Sequence, residues 1–137
     1  DLFSGTGALA IEALSRGAEL AYLVEENRNC CEIIRENLAH TRFLDRGVVY
    51  CRKVSSFLKE FGRKDIKFDI VFMDPPYSHN FIQETLQLLM ENDIINDKGI
   101  VVCEHHKNET VQDSYGSLKK VRTKDYGDTR VSFFVNG

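Results

Sequence analysis

The chain predicts an α/β fold built on a doubly wound, mostly parallel sheet, and three features carry that prediction. Short apolar segments alternate with helix-forming segments from residue 1 to residue 103. One apolar segment, Phe68-Asp69-Ile70-Val71-Phe72-Met73, is nearly continuous, the mark of a strand covered on both faces. The tail changes character and reads as an antiparallel hairpin.

Taken in order, Asp1-Leu2-Phe3 reads as the end of a first strand, so the chain is expected to begin within an element. Ala8 to Arg16 has helix-forming composition, with Leu9, Ala13 and Leu14 available for one face and Gly17 as its stop. Leu20 to Val24 is a short strand ending at Glu25-Glu26. Asn29 to Ala39 is helical, with Ile33, Ile34 and Leu38 expected inward. Val48 to Cys51 is a strand and Ser55 to Phe61 a short helix. Phe68 to Met73 is the buried strand, followed by a helix over Phe81 to Met90. An Asp97-Lys98-Gly99 turn precedes another buried strand, Ile100 to Cys103. Lys119 to Lys124 and Arg130 to Val135 then flank a five-residue turn, Asp125 to Thr129.

At 137 residues, one domain spanning 1–137 is expected. The 42% hydrophobic and 28% charged content is that of an ordinary globular protein. No segment reaches the roughly 18 apolar residues of a membrane span, and no basic-then-apolar leader opens the chain. Cys30, Cys31, Cys51 and Cys103 lack zinc-finger or CxxC spacing and are expected as reduced thiols of a cytoplasmic protein. The net charge of -3 is unevenly spread. Residues 42–67 carry eight Lys/Arg against three acids, and residues 119–137 five against two. Charge alone favours solvated faces for both segments, with a phosphate-facing surface as the alternative.

Gly5, Gly7 and Ala10 form G-x-G-x-x-A at a strand-to-helix junction, where glycines permit a tight turn and close approach of a ligand. Glu25 follows Gly5 by 20 residues, at the end of the next strand, where a carboxylate can accept both hydroxyls of a ribose. The pattern suits a nucleoside and, taken alone, also a dinucleotide. Asp1 just before the turn can pair with a cationic amino group, which a pyrophosphate cofactor lacks and S-adenosylmethionine has.

Asp74-Pro75-Pro76-Tyr77 ends the buried strand. Proline donates no N–H, fixes φ and keeps the preceding residue out of the helical region, so this stretch must be a stiff loop. A carboxylate, unpaired carbonyls and an aromatic face there suit a planar ring bearing an amine, adenine, guanine or an amide alike.

The segments DLFSGTGALAIEALSRGA, LVEENR, FDIVFMDPPY and YGDTRVSFF together resemble the RsmD-type bacterial methyltransferases across essentially the whole chain. DPPY alone is shared with other amino methylases; the extended first motif with the hairpin ending is more specific. The resemblance implies a Rossmann-like class I methyltransferase fold whose first strand lacks its start, and a single catalytic domain truncated at its N-terminus. It implies S-adenosylmethionine as methyl donor, small-subunit ribosomal RNA as partner and the exocyclic N2 of a guanine as acceptor. Upstream sequence in the family adds basic residues that engage RNA. A monomer is expected, without membrane or metal partner.

By the same resemblance, Asp1, Phe3, Ser4, Gly5, Thr6 and Gly7 would cradle the methionine part of the cofactor and Glu25 its ribose. Lys53-Val54-Ser55 would border the adenine. The chain departs from the pattern at Lys53, since lysine cannot accept the adenine amino group, which leaves the backbone N–H of Val54 as a candidate contact. Glu26 stands where an apolar residue is common. Asp74 and the Pro75 carbonyl would accept the two N–H bonds of the target amine, Pro76 would stiffen the loop, and Tyr77 would stack on a base taken out of its helical stack. Glu104, His79, Tyr126 and Arg130 are secondary candidates, and Glu104-His105-His106 is expected to follow a strand. The histidines lack a ligand-spaced partner for a metal.

Overall fold

A computed structural model describes residues 1–77 and 80–137, in two compact units, Asp1–Phe57 and Leu58–Gly137. His79 lies outside the described residues.

In the first unit, β1 (Ala21–Glu25) and β2 (Gly47–Cys51) pair in parallel from Ala21↔Gly47 to Glu25↔Cys51. Leu2 forms a parallel bridge to Val24, as expected of a strand end. The main-chain nitrogens of Val24 and Ser4 extend that pairing, donating to the carbonyls of Asp1 (2.9 Å) and Val24 (3.0 Å). Helix α1 (Ala8–Ser15) and helix α2 (Arg28–His40) pack against this layer. Asn27 caps α2, its Oδ1 accepting from the Cys30 N–H at 3.0 Å.

The core of this unit is Ala10, Leu14, Leu23, Ile34 and Leu38. Two inward expectations fail. Leu9 is 47% exposed and Ile33 42% exposed, while Ala10 and Cys31 are buried instead. Successive helical residues turn by about 100°, so Ala10 shares a stripe with Leu14, and Cys31 with Ile34 and Leu38, leaving Leu9 and Ile33 to the side. Arg46, from the first basic segment, donates to the carbonyls of Leu14 (2.8 Å) and Ala18 (2.7 Å), so its charge secures the end of α1.

Helix α3 (Val54–Arg63) runs across the division between the units and buries Val54, Phe57, Leu58 and Phe61.

The second unit is a five-stranded sheet of order β3-β4-β7-β6-β5, made of β3 (Phe68–Met73), β4 (Ile95–His106), β5 (Ser114–Tyr115), β6 (Leu118–Tyr126) and β7 (Thr129–Asn136). β3 and β4 are parallel; the remaining pairs are antiparallel. Helix α4 (Phe81–Glu91) buries Ile82, Thr85, Leu86 and Leu89. One sheet face carries the buried Val71, Met73, Val101, Cys103, His105, Ser132 and Phe134.

Several sequence expectations are corrected here. β3 is buried on alternate residues rather than on both faces, with Val71 and Met73 buried and Ile70 51% exposed, because its side chains alternate between a covered and an open face. The Asp97-Lys98-Gly99 turn is a bulge inside β4: pairing jumps from Phe68↔Ile95 to Ile70↔Ile100, with Lys98 at φ 66°. Glu104, His105 and His106 lie within β4, opposite Val131, Arg130 and Thr129, rather than after it. The hairpin turn has two residues, not five, since Tyr126 pairs with Thr129 around Gly127-Asp128. Gly127 at φ 59° takes the first central position, where such turns require positive φ. β5 was not foreseen.

Candidate active site

In the first unit, the turn after Leu2 is left-handed at Phe3 (φ 60°), Gly5 (φ 60°) and Gly7 (φ 82°). Ser4 closes it, its Oγ–H donating to the Asp1 carbonyl at 2.6 Å and its own carbonyl accepting from the Gly7 N–H at 2.9 Å. Asn37 of α2 donates to the Thr6 carbonyl at 2.9 Å. The two glycines differ in what they face. A Cβ on Gly7 would stand 3.0 Å from Leu23 Cδ2 and 3.3 Å from Ile34 Cγ2, so Gly7 lets the turn close onto the core. A Cβ on Gly5 would meet nothing within 4 Å, so Gly5 borders open space.

Glu25 is tied to this turn. Its Oε1 accepts from the Gly5 N–H at 3.0 Å and its Oε2 from the Asn27 N–H at 2.9 Å. Each oxygen keeps a further lone pair, so the carboxylate is held in place yet able to accept hydroxyls. Asp1 Oδ2 accepts from the Ala10 N–H in the first turn of α1 at 3.3 Å, which leaves Asp1 Oδ1 as an acceptor beside the same turn. Lys53 is exposed and Val54 opens α3, where helix geometry leaves its N–H without an intrahelical acceptor. These residues fit S-adenosylmethionine: a glycine bordering open space, a fixed diol acceptor and a carboxylate for the ammonium group. Beneath them, burial and then Cys51 push the Cys31 thiol up to about 12.

In the second unit, Asp74 follows β3 directly. Pro75 is buried, while Pro76 and Tyr77 are exposed. Met73 is in register with Cys103, so Asp74 and Glu104 are level, one residue further along neighbouring parallel strands. Partial burial, and then the charge of Glu104, raise the Asp74 carboxyl above its usual range. Tyr77 stands edge-on to His106, with ring centroids 6.1 Å apart and planes at 81°. His106 Nδ1 accepts from the Asn108 N–H at 3.1 Å, which fixes the ring. Asp74, Tyr77, Glu104 and His106 thus form one cluster. The sequence offers Glu104 as a secondary candidate and gives His106 no role; the available signal is their alternation along β4, on the face that Asp74 extends.

His105 is instead a core residue: its Nε2 lies 2.8 Å from Ser132 Oγ and its Nδ1 2.9 Å from the His106 carbonyl. The carbonyl can only accept, so Nδ1 carries the proton and Ser132 donates to Nε2. Tyr126 and Arg130 sit in the hairpin, with Arg130 bidentate on Asp125 at 2.7 and 3.1 Å. Among the described residues no three His, Cys, Asp or Glu gather to hold a metal, and no helix is long and apolar enough to cross a membrane.

The sequence model of a family described as conserved hypothetical protein 95 matches residues 1–135. The chain is 30% identical over 134 residues to a protein of Bacillus subtilis named "Putative rRNA methyltransferase YlbH", covering 98% of the chain and 73% of that protein. It is 36% identical over 104 residues to "Ribosomal RNA small subunit methyltransferase D" of Escherichia coli, covering 76% of the chain and 50% of that protein. The chain belongs to the RsmD-type methyltransferase family. It spans about half the length of its E. coli relative. Two solved structures of similar shape agree with this family and with its Rossmann-like fold. One is a conserved hypothetical protein of Streptococcus pyogenes, with a TM-score of 0.90 and 34% identity over 100% of this chain and 84% of that one. The other is the putative methyltransferase yhhF of E. coli, with a TM-score of 0.90 and 29% identity over 99% and 75%. The RsmD-type family is one of S-adenosylmethionine-dependent enzymes.

Proposed function

We propose that residues 1–137 act as one catalytic domain that transfers a methyl group from S-adenosylmethionine to the exocyclic N2 of a guanine in small-subunit ribosomal RNA. The bacterial cytoplasm is where such a substrate is met. The observation that carries the reading is Asp74 standing level with Glu104. Guanine presents two adjacent donors, N1–H and the N2 amino group, to a pair of acceptors, whereas adenine presents one donor and one acceptor on that edge. Two neighbouring carboxylates therefore favour guanine.

S-adenosylmethionine, when bound, supplies an electrophilic methyl on a sulfonium sulfur. Asp1 and the turn from Phe3 to Gly7 would hold its methionine part, Glu25 its ribose, and the Lys53–Val54 segment would border its adenine. Asp74 and the Pro75 carbonyl accept the two N–H bonds of the guanine amine, which turns the nitrogen lone pair out of conjugation with the ring. Tyr77, held edge-on by His106, stacks on the base. Glu104 accepts from N1–H. The N–C bond forms as the S–C bond breaks, and the surplus proton passes to Asp74 or to water. Positioning and fixed charges lower the barrier, with no covalent enzyme intermediate.

The test is to incubate the protein with S-adenosylmethionine carrying a labelled methyl group and with small-subunit RNA lacking the modification, then to digest the RNA to nucleosides. Label is expected in N2-methylguanosine. Label only in adenosine, or none in any nucleoside, overturns the reading.

A further inference from the structure

The hairpin β6–β7 sorts its charges by face. Val121 is a bulge: Lys120 pairs with Phe134 and Arg122 with Phe133, so the side-chain alternation of β6 shifts by one residue. Without the bulge, Lys119 and Arg122 would point to opposite faces. With it, Lys119, Arg122, Lys124 and Tyr126 lie on one face, opposite Val135, Phe133, Val131 and Thr129 of β7. The other face takes Lys120, paired with Asp113 at 3.3 Å, and Asp125, paired with Arg130 at 2.7 Å.

Of the two acids of the hairpin, Asp125 is therefore engaged away from the first face, and Asp128 in the turn lies 3.6 Å from the Lys107 ammonium. Lys119, Arg122 and Lys124 are exposed and have no carboxylate partner among the described residues. Their neighbours are aromatic: the Arg122 guanidinium lies 5.7 Å from the Phe133 ring centre and the Lys124 ammonium 5.3 Å from that of Tyr126, which is 54% exposed. In the other basic segment, Arg46, Lys64 and Lys67 have carbonyl or carboxylate partners.

This face continues into the cluster around Asp74. Ladder partners run Glu104↔Val131↔Lys124 and His106↔Thr129↔Tyr126, so Lys124 and Tyr126 share rows with Glu104 and His106. Two strand spacings separate each pair, about 10 Å.

We propose that Lys119, Arg122, Lys124 and Tyr126 form a track for the single-stranded RNA that flanks the target base. The three cations bind successive phosphates and Tyr126 stacks on a neighbouring base. The inference rests on the RNA substrate proposed above. Aromatic and cationic groups side by side suit a nucleic acid better than an acidic protein, which offers charge but no bases to stack.

The experiment measures binding of the 137-residue chain to a fluorescein-labelled single-stranded RNA containing one guanine, across a salt series, with methyl transfer to unmodified small-subunit RNA measured in parallel. For K119Q/R122Q/K124Q, the slope of log K against log salt is expected to flatten by about 2, close to -0.7 for each of three lost phosphate contacts. The control R16Q/R35Q/R42Q removes the same charge from the first unit and is expected to keep the wild-type slope. Tyr126→Ser is expected to weaken binding about tenfold at an unchanged slope. Binding of S-adenosylhomocysteine serves as the folding control for every variant. An unchanged slope in the triple variant overturns the track, as does equal flattening in the control, or polyglutamate competing as well as RNA charge for charge. Activity separates the two readings: an active protein with an unchanged triple-variant slope loses the track and keeps the reaction, and an inactive one that binds RNA through these residues keeps the track and loses the reaction.

Discussion

Gly5 donates its main-chain N–H to the Glu25 carboxylate at 3.0 Å, so the residue proposed to hold the ribose also braces the glycine turn. The second Glu25 oxygen is held by Asn27. Glu25→Gln keeps an acceptor for Gly5 but turns an amide donor toward the Asn27 N–H. Hydrogen bonds to a charged partner contribute about 1.5–3 kcal/mol. The expected outcome is a cofactor dissociation constant raised by at least about tenfold, read by titration calorimetry with S-adenosylhomocysteine. Wild-type affinity in this variant removes the ribose assignment.

Alanine at the two glycines should separate folding from binding. Gly7→Ala combines a left-handed φ of 82° with contacts to Leu23 and Ile34, and is expected to cost about 2–3 kcal/mol in urea unfolding. Gly5→Ala carries only the backbone strain, about 1 kcal/mol, but projects a methyl group into open space where the cofactor would approach. Its main effect should be on cofactor affinity. Equal stability losses without any affinity difference would contradict the distinction.

Asp74 yields a prediction with a definite sign. Its carboxyl titrates above the ordinary 3.8, so between 3.8 and its raised value the folded state binds more protons than the unfolded chain. Ionised Asp74 therefore weakens the fold at neutral pH, and Asp74→Asn should be more stable than wild type at pH 7, with the gap closing as pH falls. Asp74→Ala should abolish methyl transfer while cofactor affinity persists. Glu104→Gln removes the neighbouring negative charge and should move the acid limb of kcat/KM to lower pH. A shift to higher pH would show that Glu104 does not act on Asp74 through its charge.

His105 predicts the opposite trend with pH. Burial lowers its pKa below 6.5, so in the window beneath 6.5 the unfolded chain binds the proton and the folded state resists it. Its stabilising contribution is full above 6.5 and is lost as pH falls through that window. The stability advantage of wild type over His105→Gln should shrink between pH 7.5 and pH 5 in urea titrations. A constant difference would mean that the buried imidazole is not what titrates.

What the sequence made legible was local chemistry. The glycine turn, Asp74-Pro75-Pro76-Tyr77 and the hairpin could be read because glycine and proline impose backbone constraints without help from distant residues. The place of Glu25 beside the turn could be read because it ends the strand that follows the first helix, 20 residues after Gly5. Helix faces were misjudged at Leu9 and Ile33, whose hydrophobicity says nothing about which stripe meets the sheet. The neighbourhood of Asp74 was only half legible, because Glu104 comes level with it through the β3–β4 register, a non-local fact. The bulge at Val121 was hidden for the same reason: no glycine or proline marks it, and only pairing with β7 reveals the extra residue.

That bulge also changes what the edge of β6 offers to another copy of the chain. β5 pairs only with Leu118 and Lys119, so from Val121 to Tyr126 the outer edge of β6 has no strand beside it among the described residues. An open edge of this kind invites another chain to add a strand, and the usual deterrents are an irregular backbone and cations along the edge. Val121 breaks the regular spacing of N–H and C=O groups, and Arg122 and Lys124 would bring like charges together if two such edges met. The hairpin is thereby guarded against self-association by the feature that gathers its cations on one face.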